Sequence, residues 1–283
     1  MIKLVCFDLD GTVLDENSSL RNSSIDAIGD LMESGVVFAS NSGRSVRRSQ
    51  EPLDKWPNIA SNLLIGAYNG GVVVDRERDG SRKLIYVERL ACQIFEEIAF
   101  FTKDMDLNLI CCMCEEKGGL LIEEYRHSLS SEGLKLFGGP GFVHDLDLYD
   151  RISENELMSP PKIMIVTGEP DRDRVLGQVR KRWGKQIYAT WSIPDRIEIM
   201  PLGVDKSKSL RALVDLVGIN LDEVLTIGDG ENDIPMLKTA GFGILMGNAE
   251  SAVKRSIEGT SVSIGPSLAQ DGFSATLRKF IKI

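Results

Sequence analysis

The chain has 283 residues, of which 42% are hydrophobic, and its formal net charge is −9 at pH 7. This length suits one large domain or two ordinary ones. The acidic balance argues against nucleic acid and against an anionic membrane as partners, because both require a basic surface. A few local cations would still allow an anionic small molecule to bind. No apolar run approaches the roughly 18 residues of a membrane span, and Asp8 and Asp10 interrupt any signal-peptide core.

The cysteines predict neither a disulfide framework nor a metal site. They are Cys6, Cys92, Cys111, Cys112 and Cys114. Their number is odd and three of them crowd into "CCMC", which does not suit a set of paired disulfides. A metal site would need a second ligand cluster, and the only histidines are His127 and His144. We therefore expect "LNLICCMC" to be a strand with cysteine as a small apolar residue, in a reducing cytoplasm.

Strand and helix patterns alternate in the first part of the chain. "IKLVCF" is almost continuously apolar, as in a strand covered on both faces of a parallel sheet. "SSIDAIGDLMESG" has helical spacing and closes at Gly35. "VVFAS" is predicted to be a strand and "RSVRRSQEPLDKW" a helix. "NLLIGAYNGGVVVD" then indicates two short strands around a turn at residues 69–71. This order is typical of a parallel α/β sheet.

The alternation changes between residues 86 and 191. A helix at 91–101 precedes paired strands around "LNLICCMC" and "GGLLIEEY", the strand "KIMIVTG", the helix "DRDRVLGQVRKRWG" and the strand "QIYATWS". The parallel pattern then resumes with the helix "SLRALVDLVG", the strand "VLTIGDG", the helix "IPMLKTAG" and a last strand, "FGILMG". We predict an α/β fold: a Rossmann-like parallel-sheet core of residues 1–85 and 192–283, with an α+β cap domain inserted at 86–191.

Two carboxylates follow the first strand. Residues i and i+2 of a strand point to the same side, so Asp8 and Asp10 emerge together at its carboxyl end. Ligands bind at that edge of open α/β sheets. Such close carboxylates repel, so either one is protonated or a cation lies with them. A simple Asp-Gly turn would explain Asp10 and Gly11 but would leave Asp8 unexplained.

A second acidic cluster follows another apolar strand. "GDGENDIPML" supplies Asp229, Glu231 and Asp233 within five residues. Oxygen ligands of this kind favour Mg²⁺, and the spacing differs from that of an EF-hand loop. A solvated acidic loop is the alternative, but two such clusters at the ends of buried strands predict a shared site.

Two segments are candidates for binding an anion. In "SNSGRS", Ser42 and the Gly43 N–H lie where a helix is expected to begin, which is a favourable place for phosphate. In "VDKSKSL", Lys206 lies just before a predicted helix, where the macrodipole disfavours a cation. Its presence there indicates an anionic partner, and a solvent-facing lysine is the alternative.

As a set, these motifs resemble the haloacid dehalogenase (HAD) superfamily, specifically the Cof-type phosphatases with a C2B α/β cap. The family's D-x-D-G-T matches residues 8–12, and its T-G-R matches Ser42-Gly43-Arg44, with serine in place of threonine. Its lysine is similar to Lys206, and its G-D-x-x-N-D matches residues 228–233. The family's "YNG" and "MGNA" stand at 68–70 and 246–249, whereas "SIGPSLAQDGFSATL" matches the last loop only loosely.

The resemblance implies a role for each matched residue. Asp8 would be the nucleophile, and Asp10 the general acid and then the general base. Mg²⁺ would be held by Asp8, the Asp10 backbone carbonyl and Asp229, with Asp233 binding directly or through water. The phosphoryl group would be bound by Ser42, Gly43, Lys206, Asn232 and the Leu9 N–H. Arg44 and Asn69 are possible substrate contacts, and the alternative for Arg44 is a tie to the core.

The implied function is that of a Mg²⁺-dependent phosphatase acting through an aspartyl-phosphate on small phosphorylated metabolites, with sugar phosphates as the expected class. Two alternatives stay open: a phosphomutase of the same superfamily, and a non-catalytic protein that binds a phosphorylated ligand. Specificity would reside in the cap, which would exclude water and contact the leaving group. Arg126, His127 and Trp191 are candidate contacts there. The sequence carries no signal for the oligomeric state.

Overall fold

The computed structural model describes residues 1–128, 141–191 and 194–281. The chain forms two compact units: unit 1, made of Met1–Tyr86 and Asp205–Ile283, and unit 2, made of Val87–Val204. Strands β1–β14 and helices α1–α10 are numbered along the chain. In the described residues, no helix is long and apolar enough to cross a membrane.

Unit 1 contains a mostly parallel sheet of eight strands in the order β14-β13-β12-β1-β2-β3-β4-β5. The strands are β1 Leu4–Phe7, β2 Val37–Asn41, β3 Leu64–Ala67, β4 Val72–Arg78, β5 Ser81–Val87, β12 Val224–Gly228, β13 Phe242–Leu245 and β14 Ser263–Ile264. Neighbours from β14 to β3 are parallel, and β4 runs antiparallel to β3. The predicted last strand is therefore followed by one more, because Ser263–Ile264 pairs with β13.

The helices of unit 1 are α1 Asn22–Glu33, α2 Val46–Gln50, α3 Pro57–Asn62, α7 Lys206–Val217, α8 Ile234–Thr239, α9 Ser251–Ser256 and α10 Gly272–Phe280. The apolar stripe of α7 includes Leu210, Leu213 and Val214, which are buried in one cluster with Leu4 and Cys6 of β1. All four residues of β1 are buried. The continuous apolar run predicted a central strand, and β1 indeed lies between β2 and β12. The carboxyl ends of these three parallel strands therefore meet at one edge.

Unit 2 contains a six-stranded sheet in the order β10-β11-β9-β6-β7-β8. Its strands are β6 Asn108–Lys117, β7 Leu120–His127, β8 Phe142–His144, β9 Lys162–Val166, β10 Ile187–Thr190 and β11 Arg196–Pro201. Its helices are α4 Cys92–Asp104, α5 Leu148–Ser153 and α6 Arg172–Trp183. All neighbouring strands are antiparallel except β7 and β8. Residues of the three helices and of the sheet share one apolar core.

The second boundary of the insertion differs from the predicted one at residue 191. Unit 2 continues to Val204 because β11 pairs with β9 and β10 rather than with the sheet of unit 1. In the sequence, "RIEIMP" alternates charged residues with isoleucine, a strand pattern that does not show which sheet the strand joins, so only its pairing assigns it.

The strand predicted for "LNLICCMC" is confirmed as part of β6. All five cysteines are free, and Cys111, Cys112 and Cys114 are buried in β6. Burial raises the pKa of Cys112 and that of Cys114 to about 12. They pack as small apolar side chains, as the sequence indicated.

Candidate active site

Asp8 lies directly after β1, at the carboxyl edge of the sheet. Its N–H donates to the Ile227 carbonyl at 2.9 Å, so the strand pairing with β12 continues to Asp8 itself. The residue is 6% exposed, and its Oδ1 accepts a hydrogen bond from Lys206 Nζ at 2.6 Å. The chain then turns sharply, because the Leu9 carbonyl accepts the N–H groups of residues 12–14. Asp8 is thus a buried carboxylate on a rigid support.

Lys206 is the cation of this site. It is fully buried, and its Nζ lies 2.6 Å from Asp8 Oδ1 and 2.5 Å from Asp233 Oδ1. Burial acts to lower the pKa of Lys206, but Asp233 and Asp8 outweigh it and raise the pKa above its ordinary value. The solvent-facing alternative is therefore wrong, and the anionic partners include the chain's own carboxylates. Lys206 is also the first residue of α7 rather than a residue before it, because Asp205 caps the helix by accepting the Ser207 N–H.

Asp8, Asp229 and Asp233 form a cluster in which one oxygen from each lies within 4.8 Å of the others. Burial, with the negative charge of Asp233, raises the pKa of Asp8 to about 7, although Lys206 opposes the shift. The same two causes raise the pKa of Asp229 to about 6. Three carboxylates face one ammonium group, so negative charge is in excess. An all-oxygen donor set with this charge fits a hard divalent cation such as Mg²⁺.

Asp233 also braces the loop that carries Asp229. Its Oδ1 accepts from Lys206, and its Oδ2 accepts the N–H groups of Asp229 at 2.9 Å and Gly230 at 2.8 Å. Both oxygens of this fully buried carboxylate are therefore already hydrogen-bonded. Asp8, with one oxygen bound by Lys206, has more freedom to bind a cation than Asp233 does.

Asp10 is not part of that cluster. Its side chain is 55% exposed and pairs with the Arg44 guanidinium, which donates from Nε at 2.7 Å and from a terminal nitrogen at 2.5 Å. Arg44 also donates to Ser18 Oγ at 3.0 Å and to the Arg48 carbonyl at 3.3 Å. Arg44 thus lies in a network with other groups of the chain, and its contact with a substrate stays a prediction.

Ser42, Gly43 and Asn232 meet around Asn69. Its N–H donates to the Ser42 carbonyl at 3.0 Å, and its Oδ1 accepts from Asn232 Nδ2 at 3.0 Å. A Cβ on Gly43 would lie 3.0 Å from Asn69 Oδ1, so the absence of a side chain permits this close approach. Ser42 is buried and its Oγ accepts the Arg44 N–H at 3.2 Å. The loops after β2, β3 and β12 are therefore joined at the sheet edge.

Three further polar residues were assigned no role from the sequence. Asn41 is fully buried, donates to the Lys206 carbonyl at 2.8 Å and accepts from Ser209 Oγ at 2.7 Å. Thr12 donates to Asp229 Oδ1 at 3.3 Å, and Asn248 donates to Asp229 Oδ2 at 3.2 Å. A polar residue closing an apolar strand was the available signal for Asn41. For Thr12 and Asn248 the available signal was their place in the motifs at 8–12 and 246–249, although their contacts join distant parts of the chain.

Gly11 has to be glycine for the Asp229 carboxylate to lie where it does. Its φ is +73°, in the left-handed region, and a Cβ built on it would collide with the Asp229 carboxylate. The D-x-D-G turn and the second acidic loop are therefore in direct contact, although 217 residues separate Thr12 from Asp229.

In unit 2, the three candidate contacts have different surroundings. Arg126 pairs with Glu124 at 2.8 Å and with Asp145 at 3.1 Å. His127 is fully buried, whereas Trp191 is 44% exposed, with the Arg172 guanidinium 3.6 Å from its ring centroid. Their contact with a substrate stays a prediction.

Comparison with known proteins identifies the family. A family model described as haloacid dehalogenase-like hydrolase matches residues 5–264. The chain belongs to this family. It is 25% identical over 282 residues to the 5-amino-6-(5-phospho-D-ribitylamino)uracil phosphatase YcsE of Bacillus subtilis, covering 99% of this chain and 96% of that protein. The predicted HAD membership and hydrolase class are confirmed.

Solved structures share the fold. The crystal structure of TM0651 from Thermotoga maritima superposes with a TM-score of 0.82 at 22% identity, covering 99% of this chain and 98% of that one. The HAD subclass IIB sugar phosphatase BT4131 superposes with a TM-score of 0.71 at 20% identity, covering 99% and 100% of the two chains. The predicted α/β core with an inserted cap is therefore confirmed at the level of the fold.

Proposed function

We propose that the protein is a Mg²⁺-dependent phosphatase that hydrolyses small phosphorylated metabolites, sugar phosphates among them, through an aspartyl-phosphate on Asp8. The observation that carries the proposal is the fully buried Lys206, whose Nζ bridges Asp8 and Asp233 beside Asp229. A buried ion pair of this kind contributes little net stability, so its presence at a ligand-binding edge favours a chemical role.

Asp8 is suited to attack phosphorus. Lys206 binds its Oδ1, and Oδ2 accepts no hydrogen bond from any described residue. In the first step an Asp8 oxygen bonds to phosphorus, the bond from phosphorus to the ester oxygen breaks, and that oxygen takes a proton from Asp10. In the second step Asp10 removes a proton from water, which attacks phosphorus and releases inorganic phosphate and free Asp8.

Charge neutralisation would come from Lys206 and from a bound cation. Asp8, the Asp10 carbonyl and Asp229 would hold Mg²⁺, and Asp233 would keep the Asp229 loop in place. Bound Mg²⁺ would offset the repulsion between an anionic nucleophile and an anionic phosphate. Ser42, the Gly43 N–H, Asn232 and the Leu9 N–H would donate to the equatorial oxygens, where charge is spread during transfer.

The substrate class is supported by the relatives. The phosphatase YcsE is named for a phosphorylated ribityl compound, and BT4131 is described as a sugar phosphatase. A polyhydroxylated phosphate monoester is the chemistry that these names share. A cytoplasmic location stays a prediction.

A panel of phosphorylated metabolites, assayed for phosphate release with Mg²⁺ and with excess chelator, tests the proposal. We expect steady turnover of sugar phosphates that stops on chelation, and no turnover by a folded Asp8→Asn variant. Activity that survives chelation would contradict the metal dependence. Turnover that survives Asp8→Asn would contradict the assignment of Asp8 as the nucleophile.

The same assay separates the two alternatives. A phosphomutase would give a burst and depend on a bisphosphate activator instead of releasing phosphate steadily. A non-catalytic binder would bind phosphorylated ligands without turnover, and Asp8→Asn would leave its biological role intact.

A further inference from the structure

Asn248 joins three segments of unit 1 that are distant in sequence. It belongs to "MGNA", directly after β13, and the proposed mechanism gives it no role. Its Nδ2 donates to the Gly11 carbonyl at 2.8 Å and to Asp229 Oδ2 at 3.2 Å. Its Oδ1 accepts the Leu268 N–H at 2.8 Å. One amide thus contacts the turn after β1, the acidic loop and the turn after β14.

These partners determine the orientation of the amide. The Leu268 N–H can only donate, so it requires the oxygen of Asn248 on its side. The Gly11 carbonyl and the Asp229 carboxylate then face the amide nitrogen, which is a donor. In the reverse orientation, the amide nitrogen would face the Leu268 N–H, donor against donor. The amide oxygen would then face the Gly11 carbonyl and the Asp229 carboxylate, acceptor against acceptor. The fold therefore presents a fixed donor to Asp229.

Asp229 has few other restraints on its carboxylate. Thr12 donates to the other oxygen at 3.3 Å, at the long end for such a bond. Asp229 and Asn248 also line a cavity of about 560 Å³, so the Asp229 residue borders open space as well as the Gly11 backbone. The donor from Asn248 is therefore the shorter of the two side-chain hydrogen bonds that limit rotation of this carboxylate.

We propose that Asn248 is a positioning residue for Asp229, holding Oδ2 so that the carboxylate is oriented to bind the divalent cation. This inference rests on the metal dependence in the proposed function. Hydrogen bonds that orient a ligating carboxylate strengthen metal binding, and their removal usually costs about 10-fold to 100-fold in affinity. Asn248 acts through Asp229 and does not itself contact the reacting atoms.

Titration calorimetry with Mn²⁺ and with Mg²⁺, in the absence of substrate, tests the role directly. We expect Asn248→Ala to weaken binding by about 10-fold or more. Asn248→Gln keeps an amide donor on a longer arm and should recover part of the affinity. In activity assays, the Mg²⁺ concentration for half-maximal rate should rise while kcat at saturating Mg²⁺ changes little.

Gln270→Ala is the matched control. Gln270 Oε1 accepts the Ser267 N–H at 3.1 Å, so this variant loosens the turn at Leu268 without touching Asp229. We expect it to bind Mn²⁺ like the wild-type chain. If it weakens binding as much as Asn248→Ala does, Asn248 is only a loop anchor and the inference is wrong.

The remaining outcomes separate this inference from the proposed function. Equal Mn²⁺ affinity of the wild-type chain and Asn248→Ala would overturn the positioning role alone. A wild-type chain that binds neither cation would overturn the metal dependence and this inference with it. Thermal unfolding without metal checks that each variant is folded.

Discussion

Arg44 donates two parallel hydrogen bonds to Asp10, at 2.7 Å from Nε and at 2.5 Å from a terminal nitrogen. This forked geometry fixes the plane of the carboxylate as well as its position. Asp10 is the residue to which we assign proton transfer, and its side chain is 55% exposed. The orientation of this carboxylate therefore depends on a residue from the loop after β2.

Arg44→Ala should lower kcat for alkyl phosphates, because the general acid is no longer oriented toward the leaving oxygen. General acid–base catalysis is worth about 10²-fold to 10⁴-fold, so a partial loss of about 10-fold or more is expected. p-Nitrophenyl phosphate has a leaving group that needs no proton, and its turnover should fall less. The measurement is kcat and KM for the two substrates side by side.

Asp10→Asn provides the comparison for that experiment and should show the same dependence on the leaving group. If Arg44 instead contacts substrate, KM will rise for both compounds with no preference between them. Stability should change by about 1 kcal/mol or less in Arg44→Ala, as for other ion pairs with an exposed partner.

Lys206→Met should destabilise the fold strongly. The substitution leaves Asp8 and Asp233 buried without their cation, and breaking a buried pair in this way costs about 3–5 kcal/mol. Adding Asp233→Asn should recover part of that loss, because it removes one of the uncompensated charges. Urea denaturation measures each free energy of unfolding. Arg211→Met, on the exposed side of α7, is the control and should have little effect; a similar loss there would contradict the role of the buried charges.

Mg²⁺ should raise the unfolding temperature of the wild-type chain, because the cation binds the folded carboxylate cluster and not the unfolded chain. At 100 times its dissociation constant, a ligand adds about 2.7 kcal/mol to the free energy of unfolding. Asp229→Asn should abolish most of the shift. Differential scanning calorimetry with chelator and with Mg²⁺ measures it, and an equal shift in Asp229→Asn would place the cation elsewhere.

Thiol labelling should distinguish Cys92 from the other four cysteines. Burial raises the pKa of Cys6, Cys112 and Cys114 to about 12 and that of Cys111 well above its ordinary value. Because the thiolate is the reactive form, raising the pH from 7 to 9 should not bring these four into reaction. A chromogenic disulfide should therefore titrate one thiol in the native chain and five in denaturant. In the native Cys92→Ser variant no thiol should react. Labelling of the β6 cysteines under native conditions would contradict their burial.

Local patterns predicted the elements of the core and the residues at the ends of its strands. The apolar run before Asp8 and the one before Asp229 identified β1 and β12, and their parallel pairing brings the two acidic loops together. Residue type and spacing were sufficient there, because a strand end is a local feature. The position of Lys206 at a helix start predicted either an anionic partner or exposure to solvent. The structure shows that the chain's own Asp8 and Asp233 are its anionic partners.

What the sequence could not predict are contacts between loops. The pairing of Arg44 with Asp10, the bridge from Lys206 to Asp233 and the donor from Asn248 to Asp229 each depend on the packing of separate segments. The boundary after Val204 has a similar origin, since strand partners decide which sheet receives β11. Pairing between distant segments leaves no periodic signal in either one.

The place where the chain returns to unit 1 has a mechanical consequence. Unit 2 ends at Val204, two positions before Lys206, and the intervening Asp205 caps α7. A Cβ on Gly70 would collide with the Asp205 carbonyl, and Asn41 holds the Lys206 carbonyl. Leu202 and Gly203, by contrast, are exposed. The position of the ammonium group beside the nucleophile therefore depends on contacts made within unit 1, although the chain leaves unit 2 only two residues earlier.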